Sequence, residues 1–406
     1  MILLAVLFSI ALVLITLKRP VLGLGLAAGA DLVLLEGIPI GSLSVAPESF
    51  YFLFLLAVPL LRPLVHGPGA PLPFSEVRPL FGFFLLFFGL CLLSSLLGGG
   101  LGLAQGVLTR LPLWALFGIA PVWICRRPRD MEIVATAVIW SIFGLLVIGV
   151  LTGLPEAADQ GGILRTGYLN PLGHSFALAS VMCAATLGRG ARRYSRTLLM
   201  GIFLVGVLWT GSRGAFVSGS LGLFVVGWIK SPGRAKSFAK LAALGGSLLV
   251  LFAFSSGFVG AVWDRFLAND ASSNLYRYQI MTLSGRLFTS SPILGVGVGS
   301  MEASGLFHAQ GLRTLTARII ANDNEYARVV AELGSLGVLL LLGWVRFLYQ
   351  RYVVAVRAMR GVSAERLSVL ALGGGVGAYL LALGFFESIL FSPTGWFYIG
   401  FSWACV

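Results

Sequence analysis

The chain has 406 residues, of which 57% are hydrophobic and only 11% are charged, and its mean hydropathy is +0.93. Soluble globular domains carry roughly 25% charged residues, so this composition excludes a soluble protein and predicts a polytopic membrane protein. The formal net charge of +13 would suit a nucleic-acid-binding protein, but that class is excluded because the basic residues lie in short clusters between apolar runs.

Twelve apolar runs predict transmembrane helices, in an all-α membrane protein with one long extracytoplasmic loop. Each run approaches the length that crosses about 30 Å of hydrocarbon. The apolar tail, residues 391–406, is either a last span or a segment at the membrane interface. Because the first run lacks a basic n-region and an A-x-A-like cleavage site, it is interpreted as a span and not as a signal peptide. The runs lie near residues 2–17, 21–40, 50–61, 79–97, 107–125, 131–151, 171–188, 197–211, 213–229, 239–260, 329–349 and 367–390.

Six basic clusters separate these runs and contain 20 of the 29 lysines and arginines. By the positive-inside rule, the loops with such clusters are cytoplasmic. The clusters are Lys18–Arg19; Arg62 and Arg78; Arg126, Arg127 and Arg129; Arg189, Arg192, Arg193 and Arg196; Lys230, Arg234, Lys236 and Lys240; and the five basic residues from Arg346 to Arg366. The other nine are then extracytoplasmic, and all are arginines, which suit bidentate binding of phosphate: Arg110, Arg165, Arg213, Arg265, Arg277, Arg286, Arg313, Arg318 and Arg328.

This organisation predicts four regions: N-terminal transmembrane helices over residues 1–160, central transmembrane helices over 161–260, a large periplasmic loop over 261–328 and C-terminal transmembrane helices over 329–406. The four cysteines fall in apolar runs at unrelated spacings, which predicts packing and neither a disulfide framework nor a metal site. None of the three histidines is spaced with carboxylates in a metal-ligand pattern, and we predict neither a metal nor a cofactor.

Two extracytoplasmic loops each present an arginine. In residues 152–171, Arg165 lies near the point where the chain re-enters the membrane, and it is either an interfacial anchor or an arginine at a donor site. In residues 208–220, Arg213 lies between two apolar helices with small neighbours on both sides. It is either an interfacial arginine that snorkels or part of an anion site, because backbone N–H groups near a helix start favour an anion.

Residues 261–337 form one long polar segment, where ionisable groups that are costly in hydrocarbon gather. A helix is predicted over Ser273–Phe288, carrying Arg277 and Arg286, with a break at residues 290–292. GVGVG follows at residues 295–299. No strand of a βαβ unit precedes it, which excludes a dinucleotide site. The glycines instead predict a turn that packs closely against a membrane surface or a lipid pyrophosphate.

The polar segment ends in a dense polar entry to the next span. After a stretch that contains His308, the chain reads NDNEYARVVAELG over residues 322–334, which includes Asp323, Asn324, Glu325 and Tyr326. These four residues are either a helix N-cap with first-turn acids that complement the helix dipole or part of a functional site.

Four motifs, in this order, resemble those of the O-antigen ligase and O-antigen polymerase superfamily. They are the re-entry from Arg165 to Pro171, TGSRGAF over residues 210–216, the stretch from Arg277 to SPILGVGVG over residues 291–299, and DNEYARVVAELGSLG over residues 323–337. The resemblance covers about residues 160–345. It implies a largely helical, glycosyltransferase C-like membrane fold, a metal-independent inverting reaction, and a site on the periplasmic face of the bacterial inner membrane.

The resemblance also implies the substrates. The donor is a polyprenyl-pyrophosphate-linked oligosaccharide, and the acceptor is lipid A-core in a ligase or the next lipid-linked repeat unit in a polymerase. The family's S-R-G-A arginine corresponds to Arg213 and its loop arginine to Arg277. The family's histidine corresponds to Asp323, and this departure favours a polymerase. A chain-length regulator is a further candidate partner, besides the lipid bilayer itself.

Transfer from a pyrophosphate needs cationic groups at the leaving phosphates and a base for the acceptor hydroxyl. We therefore assign Arg213 and Arg277 to the pyrophosphate and Asp323 to the base. The further substrate-binding candidates are Arg165 and Arg286 at the pyrophosphate, Glu325 and His308 as alternative bases, Tyr326 as a sugar contact, and Asn324 beside them.

Two other classes of protein fit the sequence less well. A flippase for lipid-linked oligosaccharides should place ionisable residues in mid-span, whereas the main such residues here are Asp31, Glu36 and Glu387. A non-catalytic membrane scaffold would give no reason for arginines at three separate extracytoplasmic re-entry points.

Overall fold

The computed structural model describes residues 2–33, 38–40, 43–45, 74–98, 101–151, 169–187, 191–210, 212–230, 271–303, 324–358, 364–386 and 389–406. In these ranges the chain forms helices and one pair of short strands. They are α1 (Ile2–Lys18), α2 (Pro20–Val33), β1 (Ile38–Ile40), β2 (Leu43–Val45), α3 (Phe74–Leu97), α4 (Leu101–Ile124), α5 (Pro128–Leu151), α6 (Leu169–Ala185), α7 (Ala191–Thr210), α8 (Arg213–Lys230), α9 (Ala271–Ser290), α10 (Ser300–Ala303), α11 (Glu325–Ala358), α12 (Ala364–Leu383) and α13 (Pro393–Ala404).

Five of these helices are long and apolar enough to cross a membrane: Ser75–Leu97, Leu101–Ile124, Pro128–Val147, Glu325–Ala358 and Ala364–Leu383. Pro20–Gly29 and Leu172–Ala185 are shorter apolar helices. The prediction of a helical, multi-pass membrane protein is therefore confirmed. The predicted count of twelve spans is not supported by the part of the chain that the structure describes, and the runs near residues 50–61 and 239–260 lie outside it.

The second predicted span, residues 21–40, is wrong at its end. Helix α2 ends at Val33, and β1 pairs antiparallel with β2, so that Ile38 lies opposite Val45 and Ile40 opposite Leu43. Proline has no N–H for a helix hydrogen bond, and β-branched residues favour strands. A proline flanked by two isoleucines therefore favours the short strand over a continued helix.

The span predicted over residues 367–390 also ends early, at Leu383. The N–H of Phe386 donates to the Leu383 carbonyl at 2.7 Å, and the N–H of Phe385 donates to the Ala382 carbonyl at 3.3 Å. These bonds reach back three residues and so tighten the last turn as a 3₁₀ helix does. The chain then turns away over residues 384–386.

The start of α3 and the ends of α4, α6, α8 and α13 lie at one end of the bundle, called the basic end below, and described residues of the basic clusters, such as Arg78, Arg126 and Lys230, lie in or beside them. There the Nε1–H of Trp403 donates to the Glu76 carbonyl at 2.8 Å. Lys230 Nζ donates to the Ala184 carbonyl at 3.1 Å. These bonds join the start of α3 to the end of α13, and the end of α8 to the end of α6. The one-sided arrangement is the one expected for loops on one side of a membrane.

The opposite end of the bundle holds residues 295–299 and is called the glycine end below. There the hydroxyl of Ser94, near the end of α3, donates to the Glu332 carbonyl at 2.6 Å. The hydroxyl of Tyr379 on α12 donates to the His174 carbonyl on α6 at 2.9 Å. The beginnings of α6 and α11 therefore lie near the ends of α12 and α3 at this end.

The C-terminal tail forms a 12-residue helix inside the bundle, which neither predicted alternative described. A Cβ on Gly400 of α13 would overlap the carbonyl of Gly118 on α4, so the two helices touch backbone to backbone. Small residues permit such close helix contacts in membrane proteins. Trp396, Phe397 and Phe401 are all buried, and α13 is thus part of the core.

All four cysteines are buried and free, which confirms that they pack in the core: Cys91, Cys125, Cys183 and Cys405. Burial raises the pKa of the Cys125 thiol, which lies between α4 and α5 at the basic end. Among the described residues, no group of three or more His, Cys, Asp or Glu side chains is arranged to hold a metal ion.

Candidate functional site

Helix α9 leads the chain into the glycine turn, residues 295–299. It ends at Ser290, which confirms the predicted helix and its break before Pro292. Gly295, Gly297 and Gly299 then adopt φ angles of 75°, 94° and 83°, in the left-handed region that glycine populates readily and other residues do not. The alternating glycines thus fold the chain into a compact turn.

Every backbone N–H from Gly295 to Met301 donates to an acceptor within the protein. Two bonds are local: Gly295 to the Ser291 carbonyl at 2.9 Å and Ser300 to the Gly297 carbonyl at 3.3 Å. The others reach α3 and α11: Val296 to the Ala331 carbonyl at 3.1 Å, Gly297 to the Glu332 carbonyl at 3.2 Å, Val298 to Ser95 Oγ at 3.1 Å, and Gly299 and Met301 to Glu332 Oε1 at 2.9 and 3.3 Å. Because these donors are already used within the protein, the turn does not bind a lipid pyrophosphate through its backbone N–H groups. Packing against a membrane surface, the other alternative, stays a prediction.

The anion bound in the glycine turn is the carboxylate of Glu332 on α11. Its Oε1 accepts the amides of Gly299 and Met301, and its Oε2 accepts a hydrogen bond from Arg328 Nε at 2.9 Å. The Arg328 and Glu332 side chains are only 3% and 0% exposed. Successive backbone N–H groups form concave anion sites, and here the protein itself supplies the anion. The Arg328 guanidinium also lies 4.0 Å from the ring centroid of Phe391.

Gly295→Ala is expected to destabilise the protein. Alanine would be strained at a φ of 75°, at a cost of about 1–3 kcal/mol, and its Cβ would overlap the backbone of Glu332. Gly285→Ala is the matched control, because Gly285 lies within α9 with nothing within 4 Å of an added Cβ. It should stabilise the helix by about 0.5–1 kcal/mol. Thermal unfolding in detergent measures both shifts, and equal melting temperatures for the two variants would contradict the packed turn.

Helix α11 begins with the polar residues that the sequence indicated. The Oδ1 of Asn324 accepts the Ala327 N–H at 3.0 Å, which confirms the predicted N-cap. Glu325 is buried, and its Oε2 accepts the N–H groups of Ile389 at 2.5 Å and Leu390 at 3.2 Å. The Glu325 carboxylate therefore holds the chain that follows α12.

Tyr326 packs on the turn after α12. Its hydroxyl donates to the Leu381 carbonyl at 2.5 Å, and its ring centroid lies 4.4 Å from that of Phe385. A Cβ on Gly384 would lie 3.1 Å from the Tyr326 ring. The start of α11 and the turn of residues 384–386 are therefore in direct contact.

Arg213 is next in the chain to a residue that contacts this same turn. Its neighbour Gly214 packs closely, since a Cβ there would lie 2.9 Å from Cε1 of His174 and 2.6 Å from Cγ of Phe386. This confirms that the small residue beside Arg213 allows a close approach of the backbone. Arg213 and Tyr326 are thus connected through residues 384–386.

Arg213 lies at the positive end of a helix dipole. It is the first residue of α8, and its side chain is half-buried. Ser212 caps the helix, with its Oγ accepting the Ala215 N–H at 3.3 Å. No acidic residue lies in the first turn of α8. The positive end of the helix dipole and the guanidinium therefore act together.

An apolar groove of about 610 Å³ runs between α8, α11 and α12. One face of α8 lines it through Leu221, Val225 and Trp228, at i, i+4 and i+7. Tyr326 lines its glycine end, and Arg346 lines it on the side of the basic end. Because α11 and α12 are both candidate spans, the groove follows membrane-crossing helices. A groove of this kind suits a hydrocarbon chain.

The remaining predicted site residues lie as follows. Arg286 is exposed on α9, near Ser284, whose hydroxyl donates to the Ala327 carbonyl in the first turn of α11 at 2.7 Å. Arg277 lies on the first half of α9, and its side chain is outside what the structure describes. Three predicted site residues lie wholly outside the described ranges: Arg165, His308 and Asp323. The structure thus places Asn324, Glu325 and Tyr326 beside a turn that also contacts Gly214, the neighbour of Arg213, and packs α9 against α11.

Glu332 and its partner Arg328 are not among the site residues predicted from the sequence. The sequence pattern nevertheless indicated an ion pair. Arg328 and Glu332 are opposite charges four residues apart at the start of an apolar run, which favours pairing on one helix face. What the spacing does not show is that the same carboxylate reaches the glycine turn.

Residues 198–342 match the model of the O-antigen ligase family. The match confirms the resemblance drawn from the motifs in this range, which runs from α7 to the middle of α11 and includes Arg213, Arg277 and Arg286. It supports a glycosyltransferase-type enzyme with a role in O-antigen and lipopolysaccharide assembly. Arg165 lies outside the match. No curated protein matches the chain.

Proposed function

We propose that this protein transfers a glycan from a polyprenyl-pyrophosphate donor to a sugar hydroxyl of a second lipid-linked glycan, as a repeat-unit polymerase. The site faces the periplasm from the bacterial inner membrane. The observation that carries the proposal is the position of Arg213, which begins the helix whose following turns line the apolar groove. The match to the O-antigen ligase family supports the same class of enzyme.

The groove and Arg213 together fit the two parts of such a donor. Arg213 precedes Leu221 by eight residues, which is about 12 Å along a helix at 1.5 Å per residue. A polyprenyl pyrophosphate carries its charge at one end of a long hydrocarbon chain. The start of α8 receives the charged end, and the groove along α8, α11 and α12 receives the chain.

The reaction needs little besides charge stabilisation and a base. The acceptor hydroxyl oxygen attacks the anomeric carbon opposite the pyrophosphate, a new C–O bond forms, and the polyprenyl pyrophosphate leaves with the electrons of the broken C–O bond. The hydroxyl proton passes to Asp323. Arg213 and Arg277, with Arg286 and Arg165 as further candidates, stabilise the charge that develops on the phosphates.

The start of α11 supplies the acceptor side of the proposed site. Tyr326 lies on the turn that also contacts Gly214, so it is suited to contact a sugar near the donor. Asn324 stands beside it. Glu325 is the less suited alternative base, because its carboxylate already accepts two backbone N–H groups. His308 remains an alternative base.

A ligase that passes the glycan to lipid A-core is the second candidate, and the description of the matching family favours it. The two candidates share the donor, the arginines and the groove, and differ in the acceptor. Asp323, in place of the family histidine, favours the polymerase.

The test uses the purified protein in lipid vesicles with a synthetic polyprenyl-pyrophosphate oligosaccharide, first alone and then with lipid A-core, and products are separated on a gel. A ladder from the donor alone is expected for a polymerase. A single added step that appears only with lipid A-core would make the protein a ligase. Movement of the donor between leaflets without any product would replace both with a flippase.

A further inference from the structure

We propose that Arg328 and Glu332 are positioning residues, which hold the arginines of the donor site in place by fastening two separate chain segments to α11. The inference rests on the proposed function, because it is that function which gives the arginines their role.

One face of α11 carries three charged side chains that are all buried. Glu325, Arg328 and Glu332 lie at i, i+3 and i+7, and such residues share a helix face. Each contacts chain that lies outside α11: Glu325 accepts the amides of Ile389 and Leu390, Arg328 stacks on Phe391, and Glu332 accepts the amides of Gly299 and Met301. This face therefore holds residues 389–391 and the glycine turn at once.

Both held segments lead to the proposed donor arginines. The glycine turn directly follows α9, which carries Arg277 and Arg286, and Ser284 ties the same helix to the first turn of α11. Residues 389–391 follow closely on the turn that packs against Gly214, the neighbour of Arg213. The Arg328–Glu332 pair thus lies between α9 and the turn of residues 384–386. These two elements must keep a fixed separation if an arginine of α9 and Arg213 are to reach the same pyrophosphate.

Stability alone does not account for this pair. Replacing a buried ion pair with apolar residues of similar size is often neutral or stabilising, although breaking one partner alone is costly. Apolar residues, however, leave the amides of Gly299 and Met301 without an acceptor. The specific contribution of Glu332 is therefore the geometry of the turn.

The test compares two double variants that both remove the two charges together. Arg328→Leu with Glu332→Leu leaves the two amides without Oε1. Arg328→Leu with Glu332→Gln is the matched control, because glutamine keeps a carbonyl oxygen for them. Steady-state transfer gives kcat and KM for the donor, and hydrogen exchange followed by mass spectrometry reports on residues 295–301.

In the first variant we expect faster exchange over residues 295–301 and a fall in kcat/KM of about 10²-fold, the effect of misplacing a binding group by about 1 Å. The glutamine variant should return exchange over residues 295–301 to the wild-type rate and recover kcat/KM in part, because Arg328→Leu still removes the contact with Phe391. A folded Leu/Leu variant with wild-type exchange and transfer would overturn the proposal. So would equal loss of transfer in both variants while exchange stays slow, because charge and not position would then matter.

Wild-type exchange keeps the proposal testable if the Leu/Leu variant does not fold. The amides of Gly299 and Met301 should then exchange as slowly as those of α11 in the wild type, and rapid exchange there would overturn the proposal. Absence of transfer by the wild type would count against the proposed function alone. The exchange measurements would still decide whether the pair holds the turn.

Discussion

Arg213→Ala is expected to lower glycan transfer by about 10²–10³-fold, the loss that follows removal of one preorganised donor to a developing negative charge. Arg213 begins α8, with a serine cap before it and no acid in its first turn. Charge builds on the pyrophosphate as the glycosidic bond breaks. The guanidinium therefore stabilises the transition state more than the bound donor, and the loss should appear mainly in kcat.

Arg213→Lys separates charge from geometry. Lysine keeps the positive charge but lacks the planar fork that binds phosphate oxygens in pairs, so transfer should recover only in part. Arg357→Lys, on an exposed residue near the end of α11 at the basic end, is the matched control and should behave as wild type. Initial rates over a range of donor concentrations measure all three variants. A wild-type kcat in a folded Arg213→Ala protein would show that Arg213 does not contribute to transfer.

Asp323→Asn is expected to lower transfer by about 10²–10⁴-fold, the usual contribution of a positioned general base. Asparagine has nearly the same shape as aspartate but does not take up the acceptor proton. Asp323 directly precedes Asn324, the N-cap of α11, so the substitution falls beside the turn that connects Tyr326 with Arg213. The acceptor and donor sides of the proposed site meet there.

The control for this substitution is Glu365→Gln, which neutralises an exposed carboxylate at the start of α12, at the basic end. It should leave transfer unchanged. His308→Ala, measured in parallel, distinguishes the two candidate bases. Full activity in Asp323→Asn together with a large loss in His308→Ala would transfer the role of base to His308.

The glycine turn shows how a phosphate-binding pattern can serve an internal anion. GVGVG supplies a run of backbone N–H groups and left-handed glycines, the features that cradle phosphates elsewhere. In this protein the same features receive the carboxylate of Glu332, 33 residues away from Gly299 in the chain. The arginine at the start of α8, and not the turn, is therefore the proposed pyrophosphate contact.

Local properties of the chain were predictable from the sequence. The membrane class follows from composition, because the transfer of apolar residues into hydrocarbon depends on each residue separately. Helices α3 to α8 begin and end within six residues of the predicted runs, and the break after Ser290 follows from Pro292. The motif around Arg213 and the one-sided basic clusters are likewise visible in short stretches of sequence.

Contacts between distant residues were decided only by the tertiary structure. Ser94 and Glu332 are 238 residues apart, yet they form a bond of 2.6 Å. Helix α12 ends at Leu383 because the next residues turn to pack on Tyr326 and Gly214. The tail lies inside the bundle because two glycines let α13 touch α4. The local sequence pattern does not specify which distant segments meet. Whether an acceptor forms a hydrogen bond, or a small residue allows a close helix contact, depends on the partner that folding places beside it.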